Sequence, residues 1–345
     1  MEVIAGGSSM RADVLSDTTN QPATSVNRPR LKRSIEFWDP SGTVMLISGS
    51  VAFRIHQEPL GCHSLIFRKL FSIPRWQDVA DQLDDCPIIR LPDNPFELNL
   101  LLRAVLNTDR SVIGNTGSHA RPKFSDVAAV VRLGYKYEMD DIWNDALDKV
   151  TPFFTATFPN WDSLEHYMAR APFEIGLRDA IVAVSLAHLT GAITMLPLAF
   201  YMCCQLEGDL LKGFARNGRR ERLCLDDQIK CASGKELLER GAALVLFRVF
   251  RVYQGKVRPQ VSCCKRAHLE AFRRCLSRFK DGIKDEVKNA LDSQLDRIDN
   301  IQKFCPNCLA ALRERELEAR REVWEELPLY FGVGTQCWPT DAGDI

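Results

Sequence analysis

The stretch TVMLISGSVAFRIHQEPLGCHSLIFRKLF, residues 43–71, decides how this chain is read. Its first half alternates. Val44 and Leu46, then Val51, Phe53 and Ile55, stand at every second position, as one face of a strand requires. Ser48-Gly49-Ser50 supplies a turn between the two runs, so Thr43 to Ile55 reads as a hairpin. The period then changes. Leu60, Ser64, Phe67 and Phe71 recur every three or four residues, the spacing of one helix face, and His56 to Phe71 reads as helix. Ile73-Pro74 ends it, because the proline ring disfavours helical backbone in the residue before it.

Working outward, Arg75 to Cys86 is polar and loop-like. Pro87-Ile88-Ile89-Arg90-Leu91 is a short strand, and Pro92-Asp93-Asn94-Pro95 is a turn that starts a helix lined by Phe96, Leu100, Leu101 and Val105. A loop rich in Gly, Asn and Ser covers Asn107 to Arg121. Phe124 to Tyr137 and Asp140 to Val150 are two more helices, with Val127, Val131, Leu133 and Tyr137, then Ile142, Ala146 and Leu147, turned inward. The expectation for residues 34–150 is an α+β module, a small mixed sheet covered by helices. Residues 151–345 read as a mainly α-helical region. Its helices are Trp161 to Met168, Phe173 to Leu189, Ala192 to Gln205 and Glu236 to Tyr253. A long helix follows, on which Ile283, Val287, Leu291, Leu295, Ile298 and Ile301 recur. A charged amphipathic helix from Leu309 to Leu327 is expected to stop at Pro328. Upstream, residues 1–33 lack apolar periodicity and read as a disordered tail. The tail ends in Arg28-Pro29-Arg30-Leu31-Lys32-Arg33, which fits a nuclear-import signal but reads more simply as a solvated basic run.

The ordered set Phe53-Arg54-Ile55-His56, Leu60, Ser64, Phe67 and Leu70-Phe71 resembles the pattern of a BTB/POZ domain, in which a strand ends in His and Leu, Ser and Phe follow along the first core helix. Ile89, Leu91-Pro92-Asp93 and Phe96 resemble its next strand, turn and helix. Leu133, Tyr137, Glu138 and Met139 resemble a later helix boundary. Gln57 stands where a basic residue is usual, and Gly134 where Ala is usual. The tail from Lys303 to Trp338 resembles the end of BTB-domain proteins of mushroom-forming fungi. It does so through Phe304-Cys305-Pro306-Asn307-Cys308, Val323-Trp324-Glu325-Glu326-Leu327-Pro328, Tyr330-Phe331-Gly332 and Trp338. The resemblance implies a core motif of Phe53, Ile55, His56, Leu60, Ser64, Phe67, Leu91, Asp93 and Tyr137. It implies that His56 and Ser64 are internal, where they close helix ends. It also implies a homodimer that presents a protein partner to a ubiquitin ligase or a transcription complex. Ile35, Phe37 and Trp38 are candidates to pack on the second copy.

Composition bounds the rest. A length of 345 residues suggests about two domains. Lys+Arg and Asp+Glu both number 45, so no global charge draws the chain to nucleic acid or to an anionic membrane. Met1 to Met10 holds no apolar stretch of signal-peptide length. The 12 cysteines are therefore expected to be reduced in an intracellular compartment, nucleus or cytoplasm, and mostly to be small buried hydrophobes. Ala180 to Cys204 carries no formal charge and is long enough to cross a bilayer. Ser185, His188, Thr190, Gly191, Thr194 and Pro197 dilute it, so it reads as two buried helices broken at Thr190-Gly191.

Catalysis has little support, and the chain is expected not to be an enzyme. Ser233-Gly234-Lys235 has the end of a phosphate-binding loop, but Glu236 replaces the hydroxyl that would hold magnesium, and it reads as a plain loop. Asp84-Asp85 and Asp140-Asp141 read as solvated caps, because adjacent residues do not share a helix face. Lys212, Arg216, Arg219, Arg220 and Arg222 lack the interleaved aromatics of a nucleic-acid site and read as a solvated loop. One candidate for chemistry is left. Cys305-x-x-Cys308 has the spacing of half a zinc site, and Cys263 or Cys264 with His268 could complete a structural tetrahedron. The competing reading makes these cysteines packed hydrophobes. Two functions follow: a non-catalytic interaction protein dimerised by its BTB-like domain, or a zinc-stapled regulatory or nucleic-acid-binding protein that uses the same dimer.

Overall fold

The computed structural model describes residues 31–74, 82–106, 121–155, 157–158, 161, 163–250, 264–280, 290–295, 303–334 and 338, with the backbone alone for 275–280. The disordered-tail reading over 1–30, most of the polar loop after Arg75, and the loop over 107–120 lie outside the described residues.

The expected hairpin forms as β2 (Val44–Ser48) and β3 (Val51–Ile55), paired antiparallel with Val44 opposite Ile55 and Leu46 opposite Phe53. They sit inside a five-stranded mixed sheet of order β1-β3-β2-β5-β4. β1 (Lys32–Trp38) runs parallel to β3, and β5 (Cys86–Leu91) runs parallel to β2. β4 (Gln82–Leu83) pairs antiparallel with β5. All five residues of β2 are buried, as a strand covered on both faces should be. Val44 and Leu46 face the main core, while Met45 and Ile47 join Ala52 and Cys86 in a small cluster on the other face. β1 begins at Lys32, inside the stretch assigned to the tail. Asp84 and Asp85 are not caps but a tight two-residue turn between β4 and β5, with φ of 51° and 58°, the left-handed pair that matches strand twist.

The expected helix over 56–71 is two helices, α1 (Gln57–His63) and α2 (Leu65–Phe71), divided at Ser64, whose backbone is extended at φ −108°, ψ 123°. α3 (Pro95–Leu106), α4 (Phe124–Lys136) and α5 (Asp140–Phe154) cover the sheet. Gly134 has a packing reason. A methyl there would lie 2.9 Å from Trp143 Cβ, so a side chain on α4 would push α5 away.

The remainder is mainly helical. α6 (Leu164–Ala169) leads to α7 (Asp179–Thr190), which ends at Gly191 with φ 75°, the left-handed cap a glycine adopts at low cost. A 3₁₀ turn (Ile193–Met195) then opens α8 (Leu196–Cys204), all nine residues of which are buried. The break at 190–191 is thus as expected, and among the described residues no helix is long and apolar enough to cross a membrane. α9 (Asp209–Lys212) precedes a small antiparallel pair, β6 (Phe214–Arg216) and β7 (Arg219–Glu221). The basic cluster read as a loop is therefore largely this hairpin.

α10 (Leu225–Phe250), α11 (Lys265–Lys280) and α12 (Pro306–Tyr330) complete the chain. Ser233-Gly234-Lys235 is not a loop; it lies inside α10. A Cβ at Gly234 would fall 2.2 Å from the Phe331 ring, so the glycine is where that ring packs. Gly241 lies near Val323 and Tyr330, so α10 and α12 run antiparallel. The long helix expected over Ile283 to Ile301 does not run through its middle. Residues 290–295 are turn and bend. The buried Glu316 carboxylate replaces helical acceptors there, accepting from Gln294 N at 2.6 Å, Leu295 N at 2.8 Å and Ser293 Oγ at 2.8 Å.

Pro328 does not stop the last helix, which continues to Tyr330. A proline inside a helix leaves the carbonyl four residues earlier without its donor. Here that carbonyl is Trp324 O, and the Trp338 indole N–H donates to it at 3.0 Å. Apart from the small cluster on the other sheet face, the buried apolar residues form one continuous cluster from Phe37 to Trp338, so the two regions of the sequence share a core.

Candidate metal centre and interaction surfaces

Cys264 stands one residue ahead of α11, and His268 follows a turn later, its N–H donating to Cys264 O at 2.9 Å. Cys305 is the N-cap residue of α12, Pro306 opens that helix, and Cys308 lies in its first turn. Pro is suited to this place, because its missing N–H has no helical partner to lose. The two helix starts bring three thiols together. The sulfurs of Cys264, Cys305 and Cys308 all lie within 4.8 Å of one another. Cys305 N–H also donates to Cys264 Sγ at 3.3 Å. Cys308 is buried and the other two are half-buried. Four ligands at zinc–sulfur distances near 2.3 Å would hold sulfurs about 3.8 Å apart, so small side-chain shifts separate this cluster from a tetrahedral face.

His268 is not part of that convergence. Its ring stands edge-on to Phe304 at 5.0 Å between centroids, with Phe250 on another side at 6.3 Å. It is 8% exposed, and its buried Nε2 has no hydrogen-bond partner. Burial, then the charge of Arg315, holds its pKa below the ordinary imidazole value. That shift favours the neutral ring, the form that binds metal. Cys263 lies outside the described residues.

Four other cysteines follow the packed-hydrophobe reading, while Cys62 and Cys224 are exposed. Cys86, Cys203, Cys204 and Cys231 are buried, and burial pushes the Cys86 and Cys203 thiols up.

Two residues of the sequence motif, Phe67 and Tyr137, meet at the hydroxyl of a third, Ser64. Phe53, Ile55, Leu60 and Phe67 are buried in the main core, and Leu91 packs against it. Ser64 Oγ donates to Tyr137 O at 2.6 Å and accepts from Phe67 N at 3.1 Å, capping α2. The Tyr137 ring stacks on Phe67 at 5.2 Å, and its hydroxyl donates to Asp93. Burial, then that bond, raises the Tyr137 pKa far above the ordinary phenol value. Asp93 also holds Lys136 Nζ at 2.5 Å, while its carbonyl accepts from Ser48 Oγ.

His56 departs from expectation, for it is exposed. The Thr43 hydroxyl takes the capping task, accepting from Gln57 N at 2.9 Å. The imidazole turns outward, with Nε2 3.2 Å from Asp39 Oδ2 and 3.4 Å from Ser41 Oγ. A nucleophilic triad needs the carboxylate on one ring nitrogen and the serine on the other. Both partners crowd the same nitrogen here, so this trio cannot relay a proton from Ser41.

Of the three entry residues, Phe37 is buried in the protein's own core and Trp38 packs beside Met45 on the other sheet face. Ile35 alone of the three is fully exposed. Glu36 on β1 is held by Arg103 of α3 at 2.7 and 2.8 Å.

The β6–β7 hairpin is anchored by charge. Arg132 of α4 bridges Glu97 at 2.7 Å and Glu221 at 2.9 Å, all three nearly buried. Arg219 joins them at 3.4 Å from Glu221, and Arg216 pairs with Asp179. No spacing rule in the sequence links residues 97, 132 and 221. The partners are brought together by the packing of α3, α4 and the hairpin.

No protein-family model, curated protein or solved structure matches the chain.

Proposed function

We propose that the chain is a non-catalytic protein-interaction protein that self-associates through a BTB/POZ-like module over residues 34–150, presenting a protein partner to a larger assembly such as a ubiquitin ligase or a transcription complex. The observation that carries this reading is the fully exposed Ile35 on β1, one of the two edge strands of the sheet. An edge strand presents unpaired backbone N–H and C=O groups to which another chain can pair, and an apolar side chain there adds a surface to bury. Leu65 and Ile66 of α2 and Ile73 just beyond it are further exposed apolar groups of the same module. Ser64, Tyr137 and Asp93 use their polar atoms on the module's own backbone and side chains. That internal use agrees with a role in shape and not in chemistry. Co-purification of two differently tagged copies of the full chain tests the reading. The second copy should be retained with the wild type and lost when Ile35 is replaced by Asp in both. Failure of wild-type copies to co-purify contradicts it.

A second feature favours a zinc staple within this protein. Cys264, Cys305 and Cys308 would hold a structural zinc ion as thiolates, with a fourth ligand from outside this cluster. The ion would fix the start of α11 to the start of α12. Metal analysis of the purified chain should give about one zinc per chain. Cys305→Ser should lose it, and a metal-free wild type would exclude the staple.

A further inference from the structure

α11 carries a charge imbalance that the chain as a whole does not. Its sequence, KRAHLEAFRRCLSRFK, holds six Lys and Arg against one carboxylate, Glu270. Over residues 265–274 one side of the helix is packed and the other is exposed. His268 and Ala271 are buried and Phe272 is half-buried, its ring 6.2 Å from Phe250. Lys265, Arg266, Arg273 and Arg274 are exposed, and Leu269 is the one exposed apolar residue among them over residues 265–274. Glu270 is already engaged, with Arg274 at 2.8 Å and Lys303 at 3.9 Å. Among the described residues, Lys265, Arg266 and Arg273 have no carboxylate partner. Three unneutralised cations thus share the exposed side of one helix, in two groups about 12 Å apart along its axis at 1.5 Å per residue.

A basic amphipathic helix has three uses. Insertion into an anionic membrane needs the apolar side free, and here that side is packed against Phe250 and the core. Single-stranded nucleic acid is held by exposed aromatics on which bases stack, and among the described residues α11 has none. A duplex backbone needs only spaced cations on a rigid support. We propose that the exposed face of α11 binds the phosphate backbone of duplex nucleic acid, without sequence preference. This goes beyond the self-association reading and does not depend on the zinc ion. The neutral charge of the whole chain conceals this face, because the compensating carboxylates lie on other elements.

The test is fluorescence anisotropy of a labelled 20-base-pair DNA duplex with the full chain. Binding is expected at 50 mM salt. Three phosphate contacts predict an affinity about 40-fold lower at 200 mM. The variant Lys265→Glu/Arg266→Glu/Arg273→Glu should bind at least tenfold more weakly while its circular dichroism and melting temperature match the wild type. If charge reversal unfolds the chain, the corresponding Gln variant carries the same expectation. No binding at 50 mM salt, or undiminished binding by a folded variant, overturns the proposal. So does equal retention by phosphatidylserine vesicles or by polyglutamate, since either would make the face a general anion surface.

Discussion

The Ser64 hydroxyl makes two bonds where the chain changes direction, one to Tyr137 O and one from Phe67 N. Ser64→Ala leaves both partners unpaired in a buried place, and an unmade buried bond costs about 1–3 kcal/mol. Urea unfolding should show a loss in that range, and a change below about 0.5 kcal/mol would contradict the capping role. The helix-closing role of Ser64 was legible through the resemblance, whereas its spacing places it inside one continuous helix that the structure divides there. The Trp338–Trp324 bond was not legible, because it answers a defect that exists only once Pro328 lies inside a helix. Trp338→Phe should therefore destabilise the chain by about 1–3 kcal/mol. In a Pro328→Ala background the restored N–H can serve Trp324 O, so the penalty should shrink. An equal penalty in both backgrounds, measured as a double-mutant cycle, would show that the indole contributes by packing alone. His56 was misread for a related reason. Sequence pattern gives the position of a cap, but Thr43 supplies the capping oxygen from across the hairpin.

At the scale of elements, the strands and helices with strong periodicity were legible, and those shaped by distant charges were not. The 283–301 periodicity is apolar and helical in spacing. Leu291 and Leu295 are indeed buried, yet Glu316, more than twenty residues later, takes the amides that a helix would have used. β1 likewise owes its place partly to a charged clamp. Hydrogen bonds from Arg103 above all, and from Asn99, hold the Glu36 carboxyl below its ordinary value of 4.5. A carboxyl whose pKa is depressed on folding stabilises the fold above its unfolded pKa and loses that contribution as pH falls through its folded pKa. The pair is partly exposed, so screening limits it to about 1 kcal/mol or less. Glu36→Gln should cost up to that amount at pH 7 and almost nothing well below pH 4.5. A penalty that persisted unchanged at pH 3 would mean that shape, and not charge, holds β1.

The molecule as a whole has one apolar core through both the sheet module and the helices behind it. Two-domain length suggested otherwise, but α7 packs on α4 and the β6–β7 hairpin docks on α3 and α4 through Arg132. The candidate metal centre was partly legible. Cys305-x-x-Cys308 announced itself by spacing, and Cys264 joins it, whereas the aromatic seat of His268 depends on Phe250 and Phe304 and left no mark in the spacing. The charge of α11 was hidden by summation over the chain. The central claim is that the β1 edge of the sheet, with the exposed Ile35 at its middle, associates with a second copy. The most direct measurement is the mass of the full-length chain by light scattering across micromolar concentrations. A value near twice that of one chain, falling to a single chain for a folded Ile35→Asp variant, is the predicted result. A single-chain mass for the wild type at every concentration would contradict the account.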